Sequence, residues 1–368
     1  MVTLGSLFDG IGGWPLAATR YGIVPLWASE IAEFPKSVTA YHFPNMKQLG
    51  DITKLDGAKV DPVDIITLGS PCQDLSVAGK RKGLCGERSG LFICAVEFIQ
   101  RMRKSTSGKY PRFAVWENVP GAFSSNSGHD FRAVLEAFSE AEVPMPEGGR
   151  WAEAGLVELQ ERQVAWRCLD ARYAVPQRRK RIFLVTDFRG HSAGEILFER
   201  QGLSGNTTQG QRTVQETSRS VNDCSENAGR IKLYDMTHCD DVIRVITDGI
   251  VPTLKARMGT GGEPSDPCQW TGNKEAIGFC SLSYSEFVRS DVMATLRAKG
   301  GCLSGGSENL IIDTRVRKLT PLECERLQGL PDNWTAGGSD SARYKAIGNG
   351  MAQPCADFVM KGIVRAMR

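Results

Sequence analysis

Four short apolar runs in the first half of the chain each border small or charged residues. Residues 2–7 lead into Phe8-Asp9-Gly10-Ile11-Gly12-Gly13, and residues 63–68 into Gly69-Ser70-Pro71-Cys72-Gln73. Residues 113–116 lead into Glu117-Asn118-Val119-Pro120, and residues 181–186 follow Gln177-Arg178-Arg179-Lys180. A further β-like run, 24–29, ends at Glu30. Each run has the length of a buried strand. Between them the period changes to that of a helix. Residues 90–103 put Leu91, Cys94, Ala95, Phe98 and Met102 on one face, and residues 130–142 do the same with Phe131, Val134, Leu135 and Phe138. Strands alternating with amphipathic helices predict an α/β fold: a doubly wound, mostly parallel sheet covered on both faces. In such a sheet ligands gather beyond the carboxyl ends of the strands, where these special sequences fall.

The pattern changes near residue 190. From there to about 316 the chain is rich in Gly, Ser, Thr and Asn, with short β-like pieces. Thr253-Leu254-Lys255-Ala256-Arg257 and Thr295-Leu296-Arg297-Ala298-Lys299, each followed by glycines, form a weak two-copy repeat. This predicts a smaller β-rich domain over 190–316, inserted into a larger one made of 1–189 and 317–368. Helical order returns at Thr320-Pro321-Leu322-Glu323, which has the residues of a capping box with Pro at the first helical position. Residues 352–366 read as a last amphipathic helix.

Composition adds limits. The 368 residues are 41% hydrophobic and 24% charged, which is ordinary for a globular protein. No run of about 20 apolar residues suggests a membrane span. The first residues lack a basic stretch followed by an apolar core, so a cytoplasmic location is expected. The 11 cysteines include no CxxC pair, which argues against a structural zinc site or a disulfide framework; no metal is expected. Net charge is +3, but residues 190–316 hold 13 Lys and Arg against 16 Asp and Glu. Phosphate-facing charge is therefore expected mostly outside that segment or in local clusters.

Each chemical feature has a bland reading. Cys72 follows Pro71 at a strand end, and a lone cysteine there is more often a core thiol. The loop beyond it carries Lys80, Arg81, Lys82 and Arg88, cations that lower a thiol pKa or meet phosphates. Glu117 alone reads as a helix cap. Gln177-Arg178-Arg179-Lys180-Arg181 alone reads as a solvated basic run; in strand geometry Gln177, Arg179 and Arg181 share a face. The glycine turn at 8–13 is not the GxGxxG of dinucleotide binders.

Taken in order, these segments resemble the cytosine-C5 DNA methyltransferase family. FDGIGG resembles its first motif, GSPCQ its Pro-Cys motif, WENV its Glu-Asn-Val motif and QRRKR its Gln-x-Arg-x-Arg motif. RKLTPLECERLQGLPDNW and IGNGMAQP resemble its last two. The resemblance covers 1–189 and 316–368. It implies a Rossmann-like methyltransferase domain that uses S-adenosylmethionine, with 190–316 as a target-recognition domain. It implies Cys72 as nucleophile and Glu117 as the acid at the base, with Arg179 and Arg181 holding the base. The implied cofactor contacts are Phe8, Asp9, Gly10, Gly12, Gly13, Glu30, Ile31, Asp51, Ile52, Pro71, Leu91 and Asn349. Gln73, Ser76, Lys80, Arg81, Lys82, Gln177, Lys255, Arg257, Arg297 and Lys299 are the implied DNA contacts. The partners implied are double-stranded DNA and a restriction endonuclease of the same site, with the chain acting as a monomer. Two positions depart from the family pattern: Asp9 where Ala is common, and Gly350 where Ser is common. An RNA-methylating member, a catalytically silent DNA-binding relative and, more remotely, a nicotinamide-dependent oxidoreductase are the rival readings.

Overall fold

A computed structural model describes residues 1–70, 90–198 and 319–368 in full, and seven short strands between 229 and 318 by their backbone alone. The sequence calls at Pro71, Cys72, Gln73, Ser76, Lys80, Arg81, Lys82, Lys255, Arg257, Arg297 and Lys299, and the two-copy repeat, lie outside the described residues. No helix among the described residues is long and apolar enough to cross a membrane.

The first strands are β1 (Thr3–Leu7), β2 (Val24–Ser29), β3 (Lys47–Gln48), β4 (Ile65–Leu68) and β5 (Phe113–Asn118). They are followed by β6 (Ala154–Glu158), β7 (Gln163–Asp170) and β8 (Lys180–Asp187). These eight form one sheet in the order β3-β2-β1-β4-β5-β8-β7-β6. β1, β2, β3, β4 and β5 run parallel to their neighbours, and strand order reverses between β1 and β4. β8 lies antiparallel to β5, and β6 antiparallel to β7.

The alternation along each strand sorts side chains to two faces. Leu7, Ile66, Leu68, Ala114, Trp116, Ile182 and Leu184 face one core, which is covered by α3 (Gly90–Ser105) and α4 (His129–Ser139). Phe92, Phe98 and Met102 of α3 and Phe131, Leu135 and Phe138 of α4 complete it. The offset residues turn to the other face, where Phe183 meets Trp14 of α1 (Gly13–Arg20) edge-on at 6.0 Å between ring centres. Two further helices in this packing unit are α5 (Ala193–Phe198) and α8 (Gln353–Ala366). Gly362 allows close approach, since a Cβ there would lie 2.9 Å from Ile196.

By packing, the chain divides into two compact units. One holds 1–169, 180–200 and 356–368, the other 170–179 and 201–355. In the second unit β12 (Glu275–Ser281) pairs antiparallel with β13 (Phe287–Arg289) and β14 (Asn309–Ile312), and β14 with β15 (Val316–Lys318). β9 (Gly229–Lys232) joins β12 in parallel, and β10 (Tyr234–Asp235) pairs with β11 (Arg244–Val245). The capping box forms as expected: Thr320 accepts from the Glu323 N–H at 3.3 Å, and Glu323 accepts from the Thr320 N–H at 2.7 Å. It opens α6 (Pro321–Leu327). α7 (Asp340–Asn349) follows.

Candidate active site

The first cluster lies at the carboxyl ends of β1 and β2, beside the point where strand order reverses. The turn after β1 is tightly wound: Phe8, Gly10 and Gly12 have φ of 55°, 57° and 81°. A phenylalanine in the left-handed region carries backbone strain, which concentrates at functional sites. A Cβ on Gly12 would also come within 3.0 Å of Phe43 and 3.1 Å of Thr39, so the turn sits close on α2 (Glu33–His42). Among the described residues nothing lies within 4 Å of the Cβ position of Gly10.

Glu30 organises this turn. One carboxyl oxygen accepts from the Gly10 N–H at 2.9 Å, and the other from the Ile31 and Ala32 N–H groups at 2.8 Å each. Three bonds fix a carboxylate that has further lone pairs to offer. Ile31 beside it is 69% exposed, a large apolar surface suited to a flat ring. Asp51 follows the edge strand β3; it accepts from the Thr53 N–H at 3.0 Å and hydroxyl at 2.8 Å, which holds its carboxyl below the usual range. Ile52 is buried behind it, and the Ser29 hydroxyl ties β2 to this loop by donating to the Gly50 carbonyl at 2.6 Å. Phe8, Asp9, Gly10, Gly12, Gly13, Glu30, Ile31, Asp51 and Ile52 thus gather as the sequence reading expected. Leu91 is half-buried in the first turn of α3 against the core. Asn349 is exposed at the end of α7, in the other packing unit.

The residues present fit an adenosine-bearing cofactor. Among the described residues there is space beside Gly10, an anchored carboxylate with spare acceptor capacity at Glu30, an apolar face at Ile31 and an acceptor at Asp51.

The second cluster lies at the ends of β4 and β5. The antiparallel register sets Asn118 opposite Ile182 and Glu117 opposite Phe183. Arg181, one residue earlier, then reaches the Glu117 carboxylate at 3.1 Å from its Nε. Both side chains are about 15% exposed, which makes this a largely desolvated pair. The other Glu117 oxygen lies 3.4 Å from the position a Cβ would take on Gly69, so glycine leaves the carboxylate room across the end of β4. The Asn118 amide donates to the Ser70 carbonyl at 3.2 Å and accepts from the Val119 N–H at 2.8 Å. The Trp116 indole donates to the Ser70 hydroxyl at 3.1 Å. Glu117 and the segment leading to Pro71-Cys72 are therefore held in one frame. Sequence reasoning passed over Asn118 and Ser70; the signal was the asparagine directly after the acid, a residue able both to donate and to accept at a strand end.

The arginines divide. β8 begins at Lys180, so Gln177 and Arg179 precede the strand and the continuous strand geometry expected from 177 is corrected. Their burial still alternates, with Gln177 and Arg179 buried and Arg178 and Lys180 more open. Arg179 donates to the carbonyls of Gly348, at 3.3 Å, and Gly350. Both carbonyls belong to the C-terminal end of α7, where a cation is favoured. Gln177 is fully buried, and neither atom of its amide has a partner among the described residues.

An open sheet of this order, with an anchored nucleoside-type cradle at the strand-order reversal and a carboxylate–guanidinium pair two strands away, defines a class: a cofactor-binding α/β transferase of the Rossmann-like kind. The chain belongs to the C-5 cytosine-specific DNA methylase family, whose model matches residues 2–365. Enzymes of this family use S-adenosylmethionine. A DNA N-6-adenine-methyltransferase of Escherichia phage P1 is 27% identical over a 462-residue alignment covering 99% of this chain and 61% of that protein. The type II methyltransferase M.HhaI of Haemophilus parahaemolyticus is 24% identical, covering 93% of this chain and 88% of that one. Among solved structures, the Schizosaccharomyces pombe Dnmt2 methyltransferase has a TM-score of 0.59 at 15% identity, covering 100% of each chain. At that identity the likeness speaks for the fold.

Proposed function

We propose that this chain transfers a methyl group from S-adenosylmethionine to carbon 5 of a cytosine flipped out of a specific duplex DNA site. The observation that supports it best is the desolvated Glu117–Arg181 pair beside Gly69, two residues before the Pro71-Cys72 sequence. Carbon 5 of cytosine is a weak nucleophile, and covalent catalysis divides the difficulty. The Cys72 thiolate adds to C6, while a solvent proton passed on by Glu117 reaches N3 as that atom gains negative charge. C5 then takes the methyl group, the C5 proton leaves to solvent water, and the C6–sulfur bond breaks as N3 gives its proton back by way of Glu117, which restores the ring and the thiolate. Arg181 keeps Glu117 in place and meets the base oxygen, a role that Arg179 shares. The cofactor supplies the electrophilic methyl group when bound. Phe8 and Ile31 flank its adenine, Glu30 takes the ribose hydroxyls and Asp51 the adenine amine. Gly13, Ile52, Pro71, Leu91 and Asn349 complete the contacts.

A stacked cytosine does not reach such a site, so the base leaves the duplex at a cost of a few kcal/mol. Gln73, Ser76, Lys80, Arg81, Lys82 and Gln177 meet DNA. The 190–316 segment reads the target, with Lys255, Arg257, Arg297 and Lys299 at phosphates or guanines. The chain acts as a monomer in the cytoplasm, and where a restriction endonuclease of the same site is present its methylation protects that site. The test is transfer of labelled methyl to duplex DNA and to tRNA, with digestion of the product to nucleosides. 5-Methylcytosine from DNA supports the reading. N6-methyladenine, the product suggested by the phage P1 relative's name, contradicts it, as does labelling of tRNA alone.

A further inference from the structure

Asp9 sits in the turn between β1 and α1 with its carboxyl withdrawn from solvent, 6% exposed. One oxygen accepts from the Ser6 hydroxyl of β1 at 2.5 Å, and the backbone N–H donates to the Ser29 carbonyl of β2 at 3.2 Å. The other oxygen is buried and has no partner among the described residues. The groups around it offer no compensating cation among the described residues. Glu30, from the loop after β2, carries the same charge. α1 holds no titratable side chain before Arg20 at its last position, and the Glu33 and Lys36 side chains of α2 pair with each other at 2.7 Å. Burial and, to a smaller extent, the Glu30 charge raise the Asp9 carboxyl to about 7, with the Ser6 bond opposing. A carboxyl buried beside another carboxylate, with one oxygen free, lacks a positive partner.

We propose that Asp9 is the counter-charge for the cationic part of the cofactor, holding a proton in the ligand-free protein and releasing it when a sulfonium- or ammonium-bearing nucleoside binds. This rests on the reading that the 8–13 turn and Glu30 form the S-adenosylmethionine site. A cation within about 4–6 Å favours the carboxylate by 1–3 pKa units. A cation held over the turn favours the Asp9 carboxylate and balances its repulsion from Glu30. The position usually filled by alanine in the family thus becomes a selector for charge.

Proton release makes affinity depend on pH. With a carboxyl near 7 in the free protein falling by about 2 units on binding, S-adenosylmethionine binds about tenfold tighter at pH 8 than at pH 6. At pH 6 about 0.8 proton leaves per cofactor bound on the same shift. Titration calorimetry of the full chain in buffers of different ionisation enthalpy counts that proton directly. The neutral nucleoside 5′-methylthioadenosine binds without releasing it. S-Adenosylhomocysteine keeps the ammonium but lacks the sulfonium, so proton release with it assigns the partner to the ammonium, and its absence assigns the sulfonium. Asp9→Asn makes cofactor affinity insensitive to pH between 6 and 8. If that variant does not fold, the proton count on the unaltered protein still decides. Binding of S-adenosylmethionine without proton release, equal release with 5′-methylthioadenosine, or an unchanged pH dependence in a folded Asp9→Asn protein overturns the proposal alone. No binding of S-adenosylmethionine at any pH overturns the cofactor reading with it.

Discussion

Asp9→Asn has a consequence for stability that needs no ligand. In the folded protein the Asp9 carboxyl is raised from 3.8 to about 7. A group whose folded pKa lies above its unfolded one favours the folded state while protonated. The contribution is full below about 4 and declines as the pH rises through 7. With those two values, Asp9 contributes about 2–3 kcal/mol more at pH 5 than at pH 8, by proton linkage. Other carboxylates contribute with the opposite sign at lower pH; the Asp51 and Asp332 carboxyls are held below the usual range by Thr53 and by Arg326. The difference between the unaltered protein and Asp9→Asn removes those terms. Trp14 and Trp27 are buried in the same packing unit as Asp9, so urea unfolding followed by tryptophan fluorescence reports on it. The unaltered protein gains about 2–3 kcal/mol relative to the variant on going from pH 8 to pH 5. A difference that stays constant between these pH values refutes the assignment of a high carboxyl to Asp9.

The Glu117–Arg181 pair predicts a coupled response. Glu117→Gln lowers methyl transfer by about 10²–10⁴ in single-turnover assays, the usual span for a positioned acid. A double-mutant cycle with Arg181→Ala gives a stability coupling of about 0.5–3 kcal/mol, and a coupling near zero denies the ion pair a role in the fold. Arg179→Ala leaves the carbonyls of Gly348 and Gly350 without this donor and lowers unfolding stability by about 1.5–3 kcal/mol per charged bond lost, measured by chemical denaturation. Gly5→Ala puts a Cβ 2.1 Å from the Trp27 ring. It lowers stability by about 1–3 kcal/mol, and a thermal midpoint equal to that of the unaltered protein contradicts the packing of Trp27 on β1.

The strands of the main sheet were legible because each is a short apolar run ending at residues that cannot continue it. Thr3–Leu7, Val24–Ser29 and Phe113–Asn118 begin or end within two residues of the expected bounds. Helix Gln353–Ala366 was legible from its apolar period, and Pro321–Leu327 from its capping box. Direction was not legible. The run at 181–186 reads the same whether the strand lies parallel or antiparallel, yet only the antiparallel register sets Arg181 against Glu117. The β6–β7 hairpin went unread, since Ala154–Glu158 carries a single strong apolar alternation on a half-exposed edge. The structure gives Gly155 a reason: a Cβ there would lie 2.1 Å from the Trp166 ring across the pair. At the site, Glu117, Glu30 and the glycine turn were found by motif. The support from Asn118, Ser70 and Ser6 was not, because isolated small polar residues at strand ends have no period. Sequence alone put Arg179 and Arg181 on one face. The structure separates them, one bound to helix-end carbonyls and the other to a carboxylate.

The central claim is that Cys72 attacks cytosine at a site framed by Glu117 and Arg181. A duplex carrying 5-fluorocytosine at the target tests this most directly, because fluorine at carbon 5 blocks the final elimination. With S-adenosylmethionine present, the account predicts a denaturation-resistant protein–DNA adduct that peptide mapping assigns to Cys72 and that Cys72→Ser abolishes. A chain that methylates cytosine in ordinary duplex yet forms no adduct at Cys72 would contradict it.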